Sequence, residues 1–520
     1  MKINIPVAPL SLVLLLLFVS FAGDVVSASI CADTVPRLKC TSPDAENVCR
    51  EGRVLSGTAI VVCMSFFICF SIHQISVEWV SSHYSLTTAA KITQEWWKLE
   101  EEDGKKMRSV QKPAALMHCD RSRHRYDLCQ LDGPTVMYPT NITFLVQGPT
   151  TLKPLKIRPY PRKWEPFIMA YIKELTFSAT GGTGGTGGGG ECQVRHEAPA
   201  LVFSTGGYTG NFYHDFSDGF VPLFVTTRTL FHHLRGEEGQ QGPVLVVSEF
   251  HNWWLSRYAE LLRGFTRWPI INLDMETKTH CFPSVKIGLI AHEDMFIDPS
   301  RMPNSESLRD FHALVHRSYS SAAAAAAVPH QRLLRQRRPR LVVVARVKSV
   351  GRAILNQEEI IRAAEEVGFE VRVFAPTTTT ALSEAYRVIN SSHAMMGVHG
   401  AALTHMFFLR PGAVFLQVVA LGLHWVADVC FGRAAQHLGL EYMEYKITVE
   451  ESTLVDKYSR DDLVLRDPKA VVKKGWNYTN LYLKEQDVRL DLVRITTYLK
   501  KAYRKAHKLL LREEQHTIIL

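Results

Sequence analysis

The chain has 520 residues, of which 46% are hydrophobic and 21% charged, and its 60 basic and 51 acidic residues give a net charge of +9. This composition is typical of a globular protein and excludes a disordered, collagen-like or polytopic membrane chain. The length predicts two sizeable domains with additional segments. The basic residues are spread along the chain apart from one cluster within residues 332–340, which is typical of a solvated loop, so we expect no nucleic-acid partner.

Two apolar runs, residues 3–22 and 57–75, precede the rest of the chain. The first is followed by a small-residue pattern that resembles a signal-peptidase site, so residues 1–56 are interpreted as an N-terminal segment with a signal-like run. The second is long enough to cross a bilayer once and is predicted to be the membrane anchor. Residues 76–112 are interpreted as a stem, and everything after them is expected to be lumenal.

Asparagine sequons and cysteines favour this lumenal placement. The candidate N-glycosylation sites are Asn141, Asn390 and Asn477, although Asn390 could be buried and unmodified. Cys119 and Cys129 bracket a short polar loop that a disulfide could close in an oxidising compartment.

Five cysteines follow the anchor, so at least one has no disulfide partner, and the sequence does not determine the pairing of Cys192, Cys281 and Cys430. A zinc site needs four ligands at short spacings, and no second Cys/His pair lies suitably near Cys119 and Cys129. We therefore expect no metal there.

Beyond the stem, short apolar runs alternate with helical patterns. In the earlier half, strands are predicted at Ala200–Ser204, Val244–Ser248 and residues 270–273, with a helix at 255–265. The glycine tract 181–190 and the alanine tract 322–327 are expected in surface loops, the second at a domain boundary.

The later half repeats the alternation more regularly. The predicted strands are residues 341–345, 371–374, 395–398 and 414–418, and the predicted helices are Gln357–Val367, 382–389 and a long surface helix at 485–512. Nearly continuous apolar strands alternating with helices predict parallel sheets covered on both faces. The expected fold is therefore α/β, with two domains, residues 113–328 and 329–520, facing a cleft.

Two arginines follow the first strand of the later half. Arg346 ends that strand, and Arg352 and Asn356 come before the next helix. Ligands of open α/β sheets bind beyond the carboxyl ends of the strands. Guanidinium groups can form bidentate bonds with a diphosphate and stabilise it as a leaving group. The alternative is a pair of surface arginines in salt bridges.

The sequence GVHGAALTH, residues 397–405, follows a later strand and opens a predicted helix. Backbone N–H groups at the start of a helix bind phosphate, so Gly400 and Ala401 are candidate phosphate-facing positions. His399 either contacts a nucleotide or is a structural histidine.

In the earlier half, a glycine-rich stretch leads from the first apolar strand to His214 and Asp218. Their four-residue spacing places both side chains on one helix face if the helix starts near Asn211. Such a pair can act as base and orienter, removing the proton of an attacking hydroxyl group. The alternatives are an N-cap role for Asp215 and a buried structural His–Asp pair.

Taken together, these features resemble glycosyltransferase family 61, and within it the plant Golgi branch that decorates xylan with arabinofuranose or xylose. The resemblance covers residue 119 to the C-terminus. It rests on five stretches: residues 119–129, residues 199–224, residues 280–282, residues 346–356 (called the arginine loop below) and GVHGAALTH. It implies a type II Golgi membrane protein with a GT-B fold of two Rossmann-like domains, a UDP-sugar donor and inversion at the anomeric carbon. His214 and Asp218 match the family's H-x-x-x-D element, and Arg346, Arg352 and His399 match its donor-side positions.

The resulting hypothesis is transfer of a pentose from a UDP-sugar to a xylan hydroxyl group. Asp218, with His214, would deprotonate the acceptor, while Arg346, Arg352 and the amides at Gly400 and Ala401 would hold the diphosphate. No D-x-D triplet follows a predicted strand, so we expect neither a metal nor another cofactor. A complex with other Golgi glycosyltransferases could form.

Several features depart from the family pattern. They are the first apolar run, the glycine and alanine tracts, and a gap between Arg346 and Arg352 that is longer than usual by about two residues. Two other functions stay open. One is xylose transfer to N-glycan cores, and the other is a non-catalytic glycan-binding or complex-organising protein.

Overall fold

The structure is a computed structural model that describes residues 116–148, 151–181, 192–236, 239–240, 242–325, 338–346 and 351–519. All of them belong to one compact unit, Pro113–Leu520. Both apolar runs and the stem lie outside the described residues, so the anchor stays a prediction. Within the part of the chain that is described, no helix is both long enough and apolar enough to cross a membrane.

The strands, numbered β1 to β19 along the described chain, are Met117–Asp120, Leu128–Leu131, Thr135–Tyr138, Thr143–Gly148, Leu155–Ile157, Leu175–Gly181, Val194–Arg195, Ala200–Ser204, Arg235–Gly236, Gly239–Gln240, Val244–Ser248, Ile271–Asn272, His280–Phe282, Val285–Ile287, Arg340–Val344, Glu370–Phe374, Ala394–Val398, Val414–Val419 and Glu441–Lys446.

The α-helices, numbered α1 to α14 in the same way, are Pro166–Met169, Phe212–His214, Val221–Leu230, Asn252–Arg257, Ala259–Leu262, Leu308–Ala325, Gln357–Val367, Leu382–Asn390, His424–Ala427, Arg433–His437, Leu463–Arg466, Pro468–Val472, Trp476–Lys484 and Leu492–Ile519. Two π-helices, Asp215–Phe220 and Asp428–Gly432, and a 3-10 helix, Ala401–Phe408, contribute to the site described below.

The earlier half contains two six-stranded sheets rather than the single parallel sheet that was predicted. The first has the order β1-β2-β14-β8-β11-β12, in which β14, β8, β11 and β12 are parallel and β1 and β2 are antiparallel. The second has the order β5-β6-β4-β3-β13-β7 and mixes both pairings.

The second sheet packs against one face of the first. Phe144 and Phe177 of the second sheet share a buried cluster with Val202 and Val246 of the first. The expectation of helices on both faces was therefore wrong for this half. Strand β4 shows why, because its buried residues alternate with more exposed ones, whereas the sequence reading relied on continuous apolar runs.

The other face of the first sheet packs against helices in a cluster that also includes the later half. Phe203 of β8, Phe224 of α3 and Phe311 of α6 belong to the same buried cluster as Val342 and Phe407. The two halves thus share a hydrophobic core. The boundary expected near residue 328 falls among residues that the structure does not describe, and the GT-B division stays a prediction.

The later half is the doubly wound parallel sheet that was predicted. Its order is β16-β15-β17-β18-β19, and every pairing is parallel. Val342 and Val344 face the cluster that includes Tyr386 of α8. Leu341 and Val343 face the cluster that includes Leu499 of α14, so both faces are covered by helices.

Three predicted elements differ from the structure. The helix expected at 255–265 is interrupted at Tyr258, whose buried hydroxyl group donates to Asp215 Oδ2 at 2.6 Å. The alanine tract was expected in a loop, but its described residues, 322–325, end α6. Alanine has the highest helix propensity, which explains this continuation.

The C-terminal helix begins later than predicted, at Leu492. The preceding residues pair in an extended form with the arginine loop, since Val488 N donates to Ala353 O at 2.9 Å and Leu355 N donates to Val488 O at 2.8 Å. A long-range backbone contact of this kind leaves no local sequence signal.

Candidate active site

His214 and Asp218 meet in the structure. The Asn211 side chain caps α2, His214 ends that helix, and Asp218 lies in the π-helix that follows. His214 Nδ1 lies 2.9 Å from Asp218 Oδ2. The predicted contact is therefore present, while the chemical role of the two residues stays a prediction.

Asp215 is not the N-cap residue that one of the alternatives proposed, because Asn211 caps the start of α2 and Asp215 follows its end. Its Oδ1 accepts a hydrogen bond from Gly210 N at 2.9 Å, and its Oδ2 accepts from Tyr258. Burial raises the pKa of Asp215, although these hydrogen bonds oppose the increase. This carboxyl group thus fixes the loop before His214.

Two residues that the sequence reading missed hold Asp218 in place. Arg162 donates from Nη2 to Asp218 Oδ1 at 2.9 Å and from Nε to Oδ2 at 3.0 Å. Tyr160 donates its hydroxyl proton to Oδ2 at 2.9 Å. Both lie after the edge strand β5 in a proline-flanked polar stretch, and no spacing in the sequence marks them as partners of a residue more than 50 positions later.

Asp218 is consequently a buried, ionised carboxylate with only 3% of its surface exposed. Burial acts to raise its pKa, but the hydrogen bond from His214 and the charge of Arg162 outweigh burial and leave the pKa below its usual value. Burial likewise opposes the charge of Arg162, yet Asp218 raises the Arg162 pKa above normal. Asp218 is therefore better suited to orienting His214 than to taking a proton itself.

A second set of contacts fixes the imidazole ring. The Tyr208 ring stacks on His214 with a centroid distance of 4.4 Å. Glu165 accepts from Tyr208 Oη at 2.8 Å and from Arg162 Nη1 at 2.6 Å. His214 Nδ1 lies 2.9 Å from Asp218 Oδ2 and 3.3 Å from Arg162 Nη2. Because an ionised carboxylate can only accept and the carboxylate is the nearer partner, we assign the hydrogen of the neutral ring to Nδ1, which places the lone pair on Nε2. No hydrogen bond to Nε2 is found among the described residues.

The donor-side residues meet at a switch point of the later sheet. Arg346 follows β15 and His399 follows β17, which are adjacent although β16 lies between them in sequence. This strand order opens a crevice at the carboxyl ends of the two strands, where ligands of doubly wound sheets bind.

Arg352 and Gly400 complete this group. Arg352 Nη1 donates to His399 O at 2.8 Å, and Arg346 Nε donates to Gly351 O at 3.1 Å. A Cβ atom at Gly400 would overlap with Arg346 Nη1, so only glycine allows this close approach.

The Arg352 side chain is buried and the Arg346 side chain is half-buried. Among the described residues, neither Arg346 nor Arg352 forms a salt bridge, in contrast to the surface ion pairs that were the alternative. Burial, and then the charge of Arg346, lower the pKa of Arg352 to about 9. Burial likewise lowers the pKa of Arg346, although the charge of Asp487 acts to raise it. Two like charges in a desolvated site favour an anionic ligand that would neutralise both.

His399 is neutral at physiological pH, because burial and the charges of Arg352 and Arg346 lower its pKa to about 3. Its Nδ1 lies 3.0 Å from Gln417 Nε2, and Gln417 Oε1 accepts from Tyr442 Oη at 2.8 Å. Gln417 lies inside the buried strand β18, and no sequence pattern marks it as a site residue. These contacts orient the imidazole ring beside the arginines.

Asn356 and Ala401 lie at the margins of the group. Asn356 Nδ2 donates to Leu490 O at 2.8 Å, and its Oδ1 accepts from Leu490 N at 3.0 Å, so we interpret its amide group as structural. Donor binding by Asn356 stays a prediction. Ala401 begins a 3-10 helix rather than an α-helix, and the first N–H groups of such a helix have no intrahelical acceptor.

One aromatic side chain joins the two groups. The Phe431 ring contacts Tyr213, the neighbour of His214, at a centroid distance of 5.5 Å. The same ring contacts His399, also at 5.5 Å. The acid–histidine pair and the arginine group thus lie on two sides of the π-helix Asp428–Gly432, within one compact unit.

The structure also assigns the cysteines of the described region. Disulfides join Cys119 to Cys129 and Cys192 to Cys281, and Cys430 is a free thiol. Burial raises the pKa of Cys430 to about 12, so it is protonated at neutral pH.

The sequons differ in exposure. Asn141 and Asn477 are exposed, whereas Asn390 is half-buried and its Nδ2 donates to Phe408 O at 3.1 Å. Asn141 and Asn477 are therefore the better glycosylation candidates.

A cavity of about 380 Å³ lies away from these groups, between Trp268, His196 and His280. None of the predicted site residues lines it. Across the described ranges, no group of three or more His, Cys, Asp or Glu side chains could hold a metal ion, and metal independence stays a prediction.

Comparison with known proteins gives consistent matches. The family model described as Glycosyltransferase 61 matches residues 212–416. This range includes His214, Asp218, Arg346, Arg352, His399 and Gly400. The xylan glycosyltransferase MUCI21 of Arabidopsis thaliana is 38% identical over 75% of this chain and 79% of its own length.

Two rice proteins, from Oryza sativa subsp. japonica, are similar at comparable levels. The alpha-1,3-arabinosyltransferase XAT3 is 32% identical over 83% of this chain and 71% of its own length. The beta-1,2-xylosyltransferase XYXT1 is 34% identical over 75% of this chain and 84% of its own length.

Proposed function

This chain belongs to glycosyltransferase family 61 and is a glycosyltransferase, and from that premise we propose that it transfers a pentose from a UDP-sugar to a hydroxyl group of a xylan backbone. The names of the relatives support a xylan acceptor and include both arabinosyl and xylosyl transfer. The observation that carries the mechanism is the oriented His214–Asp218 pair, joined through Phe431 to two arginines that form no salt bridge among the described residues.

In the proposed reaction His214 is the general base. The acceptor oxygen attacks the anomeric carbon, its proton passes to Nε2 of His214, and the bond to the nucleoside diphosphate breaks on the opposite side. Asp218 accepts the Nδ1 hydrogen bond and stabilises the imidazolium ion that forms. This exchanges the roles expected from sequence, because Asp218 already receives hydrogen bonds from Tyr160 and Arg162.

The donor diphosphate is proposed to bind between Arg346, Arg352 and the first amides of the 3-10 helix at Gly400 and Ala401. Its negative charge would relieve the repulsion between the two guanidinium groups and would be stabilised further as the leaving group forms. Neutral His399 can then donate or accept a hydrogen bond without adding a third charge.

A donor and acceptor screen tests this proposal. Purified lumenal protein is incubated with UDP-arabinofuranose or UDP-xylose and with xylo-oligosaccharides or N-glycan cores, with and without chelator. We expect pentose transfer to xylo-oligosaccharides that chelator does not reduce, with an inverted linkage by NMR. Transfer only to N-glycan cores would show that the acceptor is an N-glycan rather than xylan. UDP binding without any turnover would contradict the proposed function.

We also propose a single-pass Golgi membrane protein with a lumenal catalytic unit. The two disulfides suit an oxidising compartment, and the anchor at residues 57–75 lies outside the described residues. The measurement is a gel shift by endoglycosidase after expression in plant cells. A smaller shift in each of the single variants Asn141→Gln and Asn477→Gln would place both sequons in the lumen. Protease-sensitive, unglycosylated protein would contradict the topology.

A further inference from the structure

Exposed aromatic rings lie on two segments that contact the partners of the His214–Asp218 pair and the loop leading to it. Phe167 is 72% exposed, Tyr171 68% and Trp253 45%. Large apolar side chains that remain this exposed near a site commonly mark a binding surface. We propose that these three rings bind the sugar rings of an extended xylan acceptor on either side of the hydroxyl group that reacts. This inference rests on the proposed function and deepens it.

Phe167 and Tyr171 form one edge-to-face pair, with ring centroids 5.4 Å apart. They lie four residues apart, on α1 and the turn after it, and therefore point to the same side. Ile168 and Ile172, shifted by one residue, point to the other side and pack with Tyr160. The exposed pair is thus the outer face of a segment whose inner face is buried.

That segment is attached directly to the catalytic pair. Tyr160, beneath it, donates to Asp218, and Glu165, immediately before α1, accepts from Tyr208, which stacks on His214. The aromatic pair therefore has a position fixed relative to the imidazole ring. Substrate held on it would be positioned by the same contacts that orient the base.

Trp253 lies on another side of the loop that leads to His214. Its ring comes within 3.7 Å of the position that a Cβ atom of Gly210 would occupy. Gly210 N in turn donates to Asp215, next to His214. The loop, residues 205–211, thus lies between Trp253 and the segment that carries Phe167 and Tyr171.

Two of the charged side chains near these rings already have partners within the protein. Lys173 Nζ lies 2.6 Å from Asp274 Oδ1, and Glu249 Oε2 accepts from the Ser204 and Ser248 hydroxyl groups at 2.6 Å. Exposed aromatic side chains match an uncharged polysaccharide, whose sugar rings present apolar C–H faces that can be buried against flat side chains.

The test compares a Phe167→Ala/Tyr171→Ala variant, a Trp253→Ala variant and wild type. A Phe167→Leu/Tyr171→Leu variant keeps apolar bulk but removes the flat faces. The matched control is Trp476→Ala/Tyr478→Ala, since these rings are 55% and 50% exposed on α13 and contact no residue of the site. Thermal melting verifies that each variant is folded. KM is measured for xylobiose and xylohexaose, and binding of soluble xylan is measured without donor by affinity electrophoresis.

We expect each aromatic variant to raise KM for xylohexaose by about tenfold, to leave KM for xylobiose nearly unchanged, and to lose retardation by xylan. The control variant should match wild type in both assays. Equal retardation of wild type and variants, or an equal KM change for both acceptors, would overturn the inference. Retardation that depends on these rings in a protein that shows no transfer would support the inference and contradict the proposed function instead.

Discussion

The two groups of the candidate site differ in how their charges are balanced. Around His214 every charge has a partner within the protein, because Asp218 pairs with Arg162 and Arg162 also contacts Glu165. Around His399, Arg352 is buried and Arg346 is half-buried, and neither forms a salt bridge among the described residues. The charge of Asp487 offsets only part of the effect of burial on the pKa of Arg346. The first group has its charges balanced within the protein, and the second is proposed to bind an anion.

This difference indicates two separate tasks. A base must keep its orientation before substrate arrives, so its supporting charges belong to the protein. A site for a leaving diphosphate gains more if its positive charges remain uncompensated until that group binds. Substitutions of the charges around His214 should therefore reduce stability. Substitutions of the arginines around His399 should reduce ligand binding and leave stability nearly unchanged.

The largest expected effect is on turnover when the base is removed. His214→Ala should lower kcat by about 10²–10⁴-fold, because no other described group at this position can accept the proton in the orientation that Asp218 fixes. The measurement is steady-state transfer to xylo-oligosaccharide. His118→Ala, at an exposed position on β1, is the control and should keep wild-type activity. Wild-type kcat in the His214→Ala variant would assign the base elsewhere.

Breaking the paired group should cost stability. Arg162→Met leaves Asp218 buried without its cation and should lower the free energy of unfolding by about 3–5 kcal/mol in urea denaturation. Arg433→Met removes an exposed pair with Asp428, of which 56% and 45% of the side chains are exposed, and should cost less than about 1 kcal/mol.

The unpaired group should respond differently. Arg346→Met removes one of two repelling charges, and we expect unfolding free energy within about 1 kcal/mol of wild type or above it. A loss as large as that of Arg162→Met would show that the arginines are paired after all and would remove the contrast between the two groups.

Ligand binding should sharpen the same contrast. UDP at 100 times its Kd should stabilise wild type by about 2.7 kcal/mol, measured as a rise in Tm. Arg346→Met and Arg352→Met should lose most of this rise, because the diphosphate loses its cationic partners. His214→Ala should keep it, since the base does not contact the diphosphate in the proposed reaction. A Tm rise that disappears only in His214→Ala would show that UDP binds at His214 and not at the two arginines.

The smallest effect concerns stability at low pH. The pKa of Asp218 in the folded protein lies below its unfolded value, near 3.8. Its stabilising contribution is therefore complete above about pH 4 and is lost as pH falls through the lowered folded pKa. Urea unfolding from pH 7 to pH 3 should show a constant difference between wild type and Asp218→Asn down to about pH 4, and a shrinking one below. A difference that already shrinks near neutral pH would contradict the lowered pKa.

Much of the later half was predictable because its signals are local. Strands β15, β17 and β18 are continuous apolar runs, and Gln357–Val367 has a clear helical period, so the sequence predicted each within one or two residues. The earlier half was predicted less well, since its second sheet consists of short strands with alternating burial.

The site was predicted in part for the same reason. His214 and Asp218 lie four residues apart, and Gly400 follows a recognisable strand, so spacing alone identified them. Arg162, Tyr160 and Gln417 have no such spacing, because their partners lie far along the chain.

The sequence by itself determined the types of side chain and the local geometry that brings His214 to Asp218. Only the tertiary structure decided which of them is free to accept a proton. The protonation state of a side chain depends on its burial and on charges contributed by distant segments. Arg162 lies 56 residues before Asp218, and its charge and hydrogen bonds help to keep the Asp218 carboxylate ionised.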